Sequence, residues 1–510
     1  MTMTVATATV ATVMSQDTLT IQQRYLMAQP ARSIFAERVF QNPALKPLSM
    51  PVSIGYASAG YLHRHGSAMA LEYDPDEGET LWTLQAKAVV HTSKLGCVWG
   101  HASYDNGKHI NRCYCLGSDY DIIYPYVNAT VVNDDMNQEH YRFGSGWGDA
   151  IASRWRMGVT FSYDAGHASR QKDPRPRNIT GDLRVNAGAS YNVAGNHLVG
   201  LNLTFGRYTQ SNSTMFVSEM GQDIIYHLTG LGTQYQRFAG LGSKMNYEAY
   251  ETGAGLQYMR QDGKGLFASA QFAHQHLRCL LTALNRLPMA STDRNDYRLQ
   301  VGWMGKKHLS EFGASLQVEG EKRNGSEGIF GDPVSSVYPK IGSQLMYVNE
   351  RCEAEASLFW RYGESSRRIT VQPAAAWMHY SESYDDKLRW LKADRWRLGA
   401  SITGDTVFGK IFTTLSLKAE AYLPSAKEFR LPAESSSTGS AAAISEALLK
   451  MQRLSYEAWS EALQVVGLQW RAAMAIGSRY ALGFDVQWEY AHSAAKENFN
   501  QISANVNFYF

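Results

Sequence analysis

The feature that most constrains the fold is a strict alternation of apolar and polar side chains, repeated along the chain in segments of about ten residues. In "YALGFDVQWEY", apolar residues occupy every second position from Leu482 to Tyr490, and Asp485 and Glu489 lie between them. Successive side chains of a β-strand point to opposite faces, so each segment predicts a strand with one apolar and one polar face. Because ionised groups are costly to bury in a packed core, the polar faces are expected to contact water.

The composition excludes several classes of protein. Apolar residues make up 44% of the chain and charged residues 19%, with a formal net charge of +2. A run of about 18 or more apolar residues is absent after the N-terminus, so no helical membrane span is expected. The near-neutral charge and the lack of a basic stripe predict no nucleic-acid binding. The 29 Tyr, 12 Trp, 19 Phe and 43 Gly, spread over many alternating segments, are typical of transmembrane β-strands.

The connections between these segments alternate in length. Short turns are predicted at five places, 194–196, 262–264, 305–307, 404–405 and 477–478. Long connections occur between them, for example at 105–137, 211–244 and 424–462. Outer-membrane barrels have short periplasmic turns, long extracellular loops and an even strand count. The sequence therefore predicts an all-β fold, a transmembrane antiparallel β-barrel of about 18 strands within a range of roughly 14 to 20, rather than a soluble all-β protein.

Three regions are predicted along the chain. Residues 1–15 resemble a signal peptide, but the first basic residue is Arg24, so the positively charged start of such a signal is missing. Residues 16–50 have a more helical pattern, and we expect either a segment in the lumen or across the periplasmic mouth, or a disordered linker. Residues 51–510 form the predicted barrel. A count of 18 strands requires that two candidates, 52–62 and 337–349, are not barrel strands.

Charged residues on the polar faces are the candidates for lining the lumen. The predicted lumen-facing residues are Arg154, Arg156, Asp164, Lys418, Glu420, Arg471, Asp485 and Glu489. A polar interior combined with an apolar exterior is the pattern of a barrel that encloses water. Since both signs of charge occur among these residues, they indicate no preference for a particular ion or substrate.

Several stretches resemble known families of barrels. The aromatics Phe508 and Phe510 in "NVNFYF" resemble the C-terminal assembly signal of Gram-negative outer-membrane barrels, and "NPAL" at 42–45 is similar to the entry of fatty-acid-transporter-like barrels of Bacteroidota. The stretches 119–147 and 173–178 resemble the DUF6850 family of outer-membrane barrels of Bacteroidota. This resemblance implies a barrel in the outer membrane of a Gram-negative bacterium. It carries no site residues over, because the activity of the family is not established.

Motifs for catalysis and for metal binding are weak. The chain has no G-x-S-x-G elbow, Walker-type loop or H-E-x-x-H motif, so we predict no enzymatic activity, no catalytic residue and no cofactor. The pairs His63 and His65, and His274 and His276, each place two imidazoles on one side of a strand, but each lacks a third ligand nearby, and no metal site is predicted. The five cysteines do not form a disulfide framework.

Two functions fit this architecture. The first is a channel or transporter component for small solutes, and the second is an accessory or structural barrel with a closed lumen that partners a surface uptake or assembly complex. TonB-dependent transporters have about 22 strands and a plugged lumen, and roughly 60 residues before the barrel are too few for a separate plug domain. The predicted partners are therefore outer-membrane lipid, the barrel-assembly machinery, and a TonB-dependent transporter or a surface lipoprotein.

Overall fold

The computed structural model describes most of the chain. The described residues are 19–28, 35–66, 76–112, 115–130, 132–218, 224–238, 244–335, 337–364, 366–385, 388–432, 446–493 (apart from 447, 451, 454, 455 and 458) and 498–510. The predicted signal peptide at 1–15 lies outside them. None of the helices found in the described residues is long and apolar enough to cross a membrane.

Long antiparallel strands dominate the structure. The strands are β1 (Ile54–His65), β2 (Gly78–Thr92), β3 (Gly96–Arg112), β4 (Asn128–Ala129), β5 (Asp134–Ala150), β6 (Trp155–Ser169), β7 (Arg175–Ala194), β8 (His197–Met215), β9 (Tyr226–Gly230), β10 (Thr233–Gln234), β11 (Lys244–Arg260), β12 (Gly265–Leu281), β13 (Leu287–Lys307), β14 (Ser310–Phe330), β15 (Lys340–Glu364), β16 (Arg367–Tyr384), β17 (Arg389–Phe408), β18 (Ile411–Arg430), β19 (Leu463–Ile476), β20 (Tyr480–Ser493) and β21 (Phe499–Tyr509). The helices are α1 (Ile21–Met27) and α2 (Tyr120–Ile123), with 3-10 turns at Glu37–Gln41, Lys46–Ser49, Gln236–Phe238 and Thr282–Leu284.

Eighteen of these strands form one closed ring. Each strand pairs with its sequence neighbours in the ring, and β1 pairs with β21, with Tyr56 opposite Tyr509. The short strands β4, β9 and β10 form a separate sheet. Closure satisfies the backbone groups of the first and last strands, which an open sheet would leave unpaired. The predicted fold, an 18-strand antiparallel barrel of the outer-membrane type, is confirmed.

The expectation that 52–62 and 337–349 are not barrel strands is wrong. The first range lies mostly in β1, where the spaces beside Gly55 and Gly60 are filled by the side chains of Phe510 and Asn505. Because these two positions have no side chain of their own, the alternation of apolar and polar residues is hard to recognise in this strand. The second range belongs mostly to β15, which continues without a break to Glu364. The shift of its register with β14 at Gly325 explains why the sequence divides this strand into two segments.

The outer face of the barrel is apolar. On β6, five outward side chains are 40% to 46% exposed, namely Trp155, Met157, Val159, Phe161 and Tyr163. Equivalent rows on β8 and β13 include Leu203, Phe205, Val301 and Trp303. A continuous apolar surface of this extent is unfavourable in water, and it matches the lipid-facing band of outer-membrane barrels.

The connections divide the barrel into two ends. Short turns join β7 to β8 and β17 to β18, where Gly195 and Gly409 adopt positive φ angles of 57° and 58°. We call this the short-turn end and the opposite one the long-loop end. The turn predicted at 404–405 is inside β17, and the one predicted at 305–307 is inside β13. Gly404 has open space around it, so a glycine there is compatible with a strand as well as with a turn.

Candidate functional site

The described residues of 20–50, here called the N-terminal segment, lie across the short-turn end inside the ring. Its helix α1 starts with a capping box, in which Thr20 Oγ1 accepts a hydrogen bond from Gln23 N at 3.3 Å and the Gln23 side chain accepts one from Thr20 N at 3.0 Å. Tyr25 packs on Phe412 of β18 and Tyr509 of β21, with ring centroids 4.5 and 5.4 Å apart. The helix is thus fixed to the strands that close the ring.

Apolar side chains attach the next part of the segment to the opposite wall. Phe35 lies 6.0 Å from Phe267 of β12 and 5.5 Å from Phe359 of β15, measured between ring centroids. Val39 and Phe40 are buried in the same cluster, which also includes inward side chains of β8, β11 and β13. Because these contacts exclude water, they stabilise the segment against this half of the barrel.

Glycines make room for the chain where the segment turns at Asn42 and Pro43. Gly148, Gly158 and Gly188 lie on neighbouring strands β5, β6 and β7. A Cβ added at Gly158 would lie 2.4 Å from the Pro43 carbonyl oxygen, and one at Gly188 would lie 2.1 Å from Asn42 Oδ1. Any larger residue would push the segment off the wall, so these strands carry a shallow track shaped for it.

A chain of amide side chains fixes the segment within this track. Asn42 is fully buried, and its Nδ2 donates to Gln257 Oε1 at 2.7 Å while its Oδ1 accepts from Ala44 N at 2.9 Å. Gln257 donates to Asn202 at 2.7 Å, Asn202 donates to Asn186 at 3.0 Å, and Asn186 donates to the Gln41 carbonyl oxygen at 3.0 Å. This hydrogen-bond network begins at Asn42 and ends at Gln41. Polar contacts therefore fix the position of the segment in the track.

One charged residue of the segment points toward the middle of the barrel. Arg38 forms an ion pair with Glu319 of β14, and its Nε donates to Gln317 at 3.1 Å. Glu319 is half-exposed, and Arg298 of β13 lies 3.9 Å from its second carboxylate oxygen. Arg38 therefore connects the N-terminal segment to the charged side chains of β13 and β14 in the middle of the barrel.

The long-loop end is covered by residues that fold inward, namely 115–130, 224–238 and the described part of 446–460. We call these the loop cap. They contribute to a large buried apolar cluster with inward side chains of the surrounding strands. Within it, the Tyr124 and Tyr347 rings meet edge to face at 5.7 Å, and Trp459 lies 5.6 Å from Tyr380. The cap is thus packed like a small hydrophobic core.

Buried polar groups position the loop cap on the strands. Glu382 of β16 is 2% exposed and accepts hydrogen bonds from the hydroxyls of Tyr124 and Tyr380, the second at 2.9 Å. The Arg395 guanidinium of β17 lies between two aromatic rings, 4.6 Å from that of Tyr422 and 4.4 Å from that of Trp459. A buried carboxylate or guanidinium is tolerated only with such partners, so both anchor the cap.

Between the two closures the interior is polar and hollow. Two cavities of about 130 and 260 Å³ share Asp296 and Arg298. The first reaches Gln41 of the N-terminal segment, and the second reaches Trp459 of the loop cap. Charged side chains that point inward at this height remain 40% to 46% exposed, namely those of Arg142, Arg184, Arg298, Glu319 and Lys418. We call this space the middle chamber.

The structure brings most of the predicted lumen-facing residues together. Lys418 lies 3.1 Å from Glu420 and 3.6 Å from Glu489. Arg471 Nε donates to Asp485 at 2.6 Å. Both groups belong to the neighbouring strands β18 to β20. The Arg471–Asp485 pair is neutral, whereas Lys418 with its two glutamates carries a formal net charge of −1.

The other three residues of this set lie on or beside β6. Asp164 lies in β6, on the face opposite the apolar row that ends with Tyr163. Arg156 is on the same face at the other end of the strand. Arg154 precedes β6 and is exposed in the turn, where it donates to the Tyr191 hydroxyl at 3.3 Å. It is therefore not on a strand face, because the strand begins one residue later than the alternation suggests.

The remaining residues singled out in the sequence lie on the outer face. His274 and His276 of β12 contact Asn295 at 2.9 Å and Asp293 at 2.8 Å, respectively. No group of three or more metal-ligating side chains occurs among the residues that the structure describes. Phe508 and Phe510 are outward and exposed, and the backbone of Phe510 pairs with Gly55 at 2.9 and 3.0 Å. The assembly role of these two aromatics stays a prediction.

The residues that hold the two closures were not singled out in the sequence. Asn42 is part of the "NPAL" stretch, but Gln257, Asn202 and Asn186 are single polar residues on three different strands. Gly148 in "FGSGWGDA" of β5 was a usable signal, because glycine in a strand often marks a close approach of another backbone, whereas Gly144 and Gly146 make room for the rings of His101 and Trp99. Which backbone approaches could be known only from the fold.

Comparisons with known proteins give structural matches at low identity. BauA, the ferric preacinetobactin receptor from Acinetobacter baumannii, is 8% identical with a TM-score of 0.40, covering 90% of this chain and 80% of that one. The FrpB iron transporter from Neisseria meningitidis is 8% identical with a TM-score of 0.39, covering 92% and 83%. The copper transporter OprC is 9% identical with a TM-score of 0.37, covering 89% and 80%. No curated protein matches. The family model DUF6850, described as a family of unknown function, matches residues 43–510, and the chain belongs to this family.

Proposed function

We propose that this chain is a gated transporter component for small polar solutes in the outer membrane of a Gram-negative bacterium. In this proposal the middle chamber is the solute compartment. The N-terminal segment is the gate at the periplasmic side and the loop cap is the gate at the outer side. The proposal includes no enzymatic activity, catalytic residue or cofactor for this chain.

The observation that carries the proposal is the presence of two adjacent polar cavities between the two closures. The two cavities share Arg298 and Asp296, and their lining residues extend from Gln41 to Trp459. Their walls carry charged groups that face water, whereas an apolar filling would be expected if the interior served only to stiffen the barrel. A compartment with both signs of charge suits polar or zwitterionic solutes better than apolar ones.

The way in which the segment is attached supports a gating role. It forms no strand of the ring, so its release would break none of the barrel's strand pairs. Its contacts at Asn42 and Arg38 are hydrogen bonds and an ion pair, which water can replace when the segment moves away. Opening would thus change the lumen while leaving the wall intact.

A second candidate function is favoured by the deep burial of the residues that hold the two closures in place. Glu382 and Asn42 are buried anchors at opposite ends, and each closure has its own apolar cluster. These features suit an accessory barrel with a permanently closed lumen that supports a partner, such as a TonB-dependent transporter or a surface lipoprotein. The two candidates differ in one respect, which is whether the segment ever leaves the lumen.

Conductance in planar bilayers separates these candidates. We would compare the unmodified protein with Arg38→Ala, which removes the segment's ion pair, and with Arg298→Ala, which removes a guanidinium from the same chamber without touching the segment's backbone. Loss of about 1 kcal/mol from a partly exposed pair corresponds to about a fivefold rise in the open fraction. We expect this rise for Arg38→Ala only, and a changed ion selectivity for Arg298→Ala. Complete silence of all three proteins, and also of a variant in which Arg395→Ala is added to Arg38→Ala to loosen the loop cap, would refute the transport function and leave the accessory function.

A further inference from the structure

The strand β15 has an edge with no neighbouring strand at the long-loop end. With 25 residues it is the longest described strand. It pairs with β14 as far as Lys340 opposite Phe330, but its pairing with β16 starts only at Tyr347 opposite Tyr384. Within the described part of the chain, the single backbone contact beyond this point is Asp385 N to Met346 O at 2.9 Å. Residues 340–346, here called the free edge, therefore expose backbone groups that a sheet normally pairs.

The chain covers a comparable edge elsewhere. Pairing between β18 and β19 ends at Tyr422, so residues 423–430 also extend beyond their neighbour. There the Tyr456 ring of the loop cap packs 5.1 Å from that of Phe429, and Glu461 pairs with Lys427 at 2.7 Å. The free edge of β15 has no such cover in the described residues. The covered edge of β18 shows that a strand extending past its neighbour need not stay exposed in this barrel, so the length of β15 alone does not explain its free edge.

A groove runs beside the free edge. It has a volume of about 860 Å³ and lies between β15 and the ends of β16 and β17, with Leu345, Trp390 and Lys392 among its lining residues. On the free edge itself, Ile341 is 72% exposed and Leu345 is 53% exposed. The site thus combines unpaired backbone groups with two exposed apolar side chains that are four residues apart.

The free edge lies well outside the apolar band of the barrel. Ala354 of β15 is level with Trp377 and Trp396, and beyond Trp377 the same face of β16 continues with the polar residues His379, Ser381 and Ser383. Met346 is eight residues further along β15, which corresponds to about 26 Å of strand. In the membrane orientation proposed above, this places the free edge in water on the outer side of the cell.

We propose that the free edge binds an extended segment of a partner protein by β-strand addition. Backbone hydrogen bonds to residues 340–346 would supply affinity, and the groove would select a segment with apolar side chains at alternate positions. The location of the partner on the cell surface rests on the proposed function, but the binding mode does not. The exposed Ile341 and Leu345 would be covered by this segment.

A second copy of the chain is a less suitable occupant. Two copies in one membrane are related by rotation about the membrane normal, so their β15 strands would run in the same direction. Antiparallel pairing, which every strand of this barrel uses, is then not available between them.

Peptide selection tests this proposal. Phage-displayed random peptides of about nine residues, long enough to span the free edge, would be selected on the protein held in lipid nanodiscs. The test variant is Ile341→Lys with Leu345→Lys. The matched control is Val334→Lys with Val337→Lys, which places the same charges on two exposed residues of the same loop that pair with each other rather than along the free edge.

We expect the selected peptides to alternate apolar and polar residues. They should lose at least about tenfold in affinity for the test variant but not for the control. They should also slow hydrogen exchange of the amides in 340–346. Peptides that bind both variants equally, peptides that leave these amides unprotected, or a failure to enrich any peptide would overturn the proposal. Crosslinking of two copies through Ser343→Cys would overturn it in favour of a dimer. None of these readouts requires conductance.

Discussion

Replacing Asn42 with alanine should release the N-terminal segment while leaving the barrel strands in place. The substitution removes the hydrogen bond from Asn42 Nδ2 to Gln257 and the one that Asn42 Oδ1 accepts from Ala44 N. Gln257 is 2% exposed, so its side-chain oxygen Oε1 would remain buried without the hydrogen bond from Asn42. Such a group costs about 1 to 3 kcal/mol, and the lost local hydrogen bond adds about 1 kcal/mol.

The total of about 2 to 4 kcal/mol shifts the equilibrium between docked and released segment by a factor of roughly 30 to 700. Hydrogen exchange measures this factor at the amides of Leu45 and Lys46, both of which donate to the Asn42 carbonyl oxygen at 3.0 Å. The substitution keeps that carbonyl. Exchange at these two amides should therefore increase only because the segment leaves the wall more often.

The matched control is Asn192→Ala, which removes a hydrogen bond of 2.8 Å to the Gly195 carbonyl oxygen in a short turn. It should leave exchange at Leu45 and Lys46 unchanged. An increase below about threefold in Asn42→Ala would refute the reasoning, because it would mean that the apolar cluster around Phe35 alone holds the segment.

Three further changes have defined outcomes. Gly188→Ala should displace the segment and accelerate its proteolysis, because the new Cβ would meet Asn42, whereas Gly404→Ala, with open space around it, should behave like the unmodified protein. Arg395→Ala removes the cation between two rings of the loop cap and should raise tryptic cleavage within 446–460 by about tenfold. Glu382→Ala leaves buried tyrosine hydroxyls without their acceptor and should lower the thermal unfolding temperature without changing the strand content measured by circular dichroism.

The wall of the barrel could be predicted from the sequence because each strand carries its own evidence. The row from Trp155 to Tyr163 is apolar at every second position, and the same five side chains face outward in the structure. Strand ends were less predictable, as the turn near Gly404 shows. Glycine and aspartate permit a turn but do not enforce one, and the register with β16 keeps Gly404 and Asp405 in the strand.

The contents of the lumen could be predicted only in part. Lys418 and Glu420 are two residues apart in one strand, so their position on one face follows from alternation alone. The track for the N-terminal segment depends on Gly158 and Gly188 coming side by side, and the register between β6 and β7 decides this. Contacts between elements distant in sequence have no local signature, which is why the residues that hold the two closures could not be singled out.

The path of the N-terminal segment has a consequence for the order of assembly. Although the segment precedes every strand in the sequence, its helix α1 docks on Phe412, Ala473 and Tyr509, which belong to strands near the opposite end of the chain. Docking therefore cannot be completed before these strands have joined the ring. Each newly inserted barrel would therefore pass through a stage in which α1 is not yet docked at the short-turn mouth, and the segment reaches its final position only after the ring has closed.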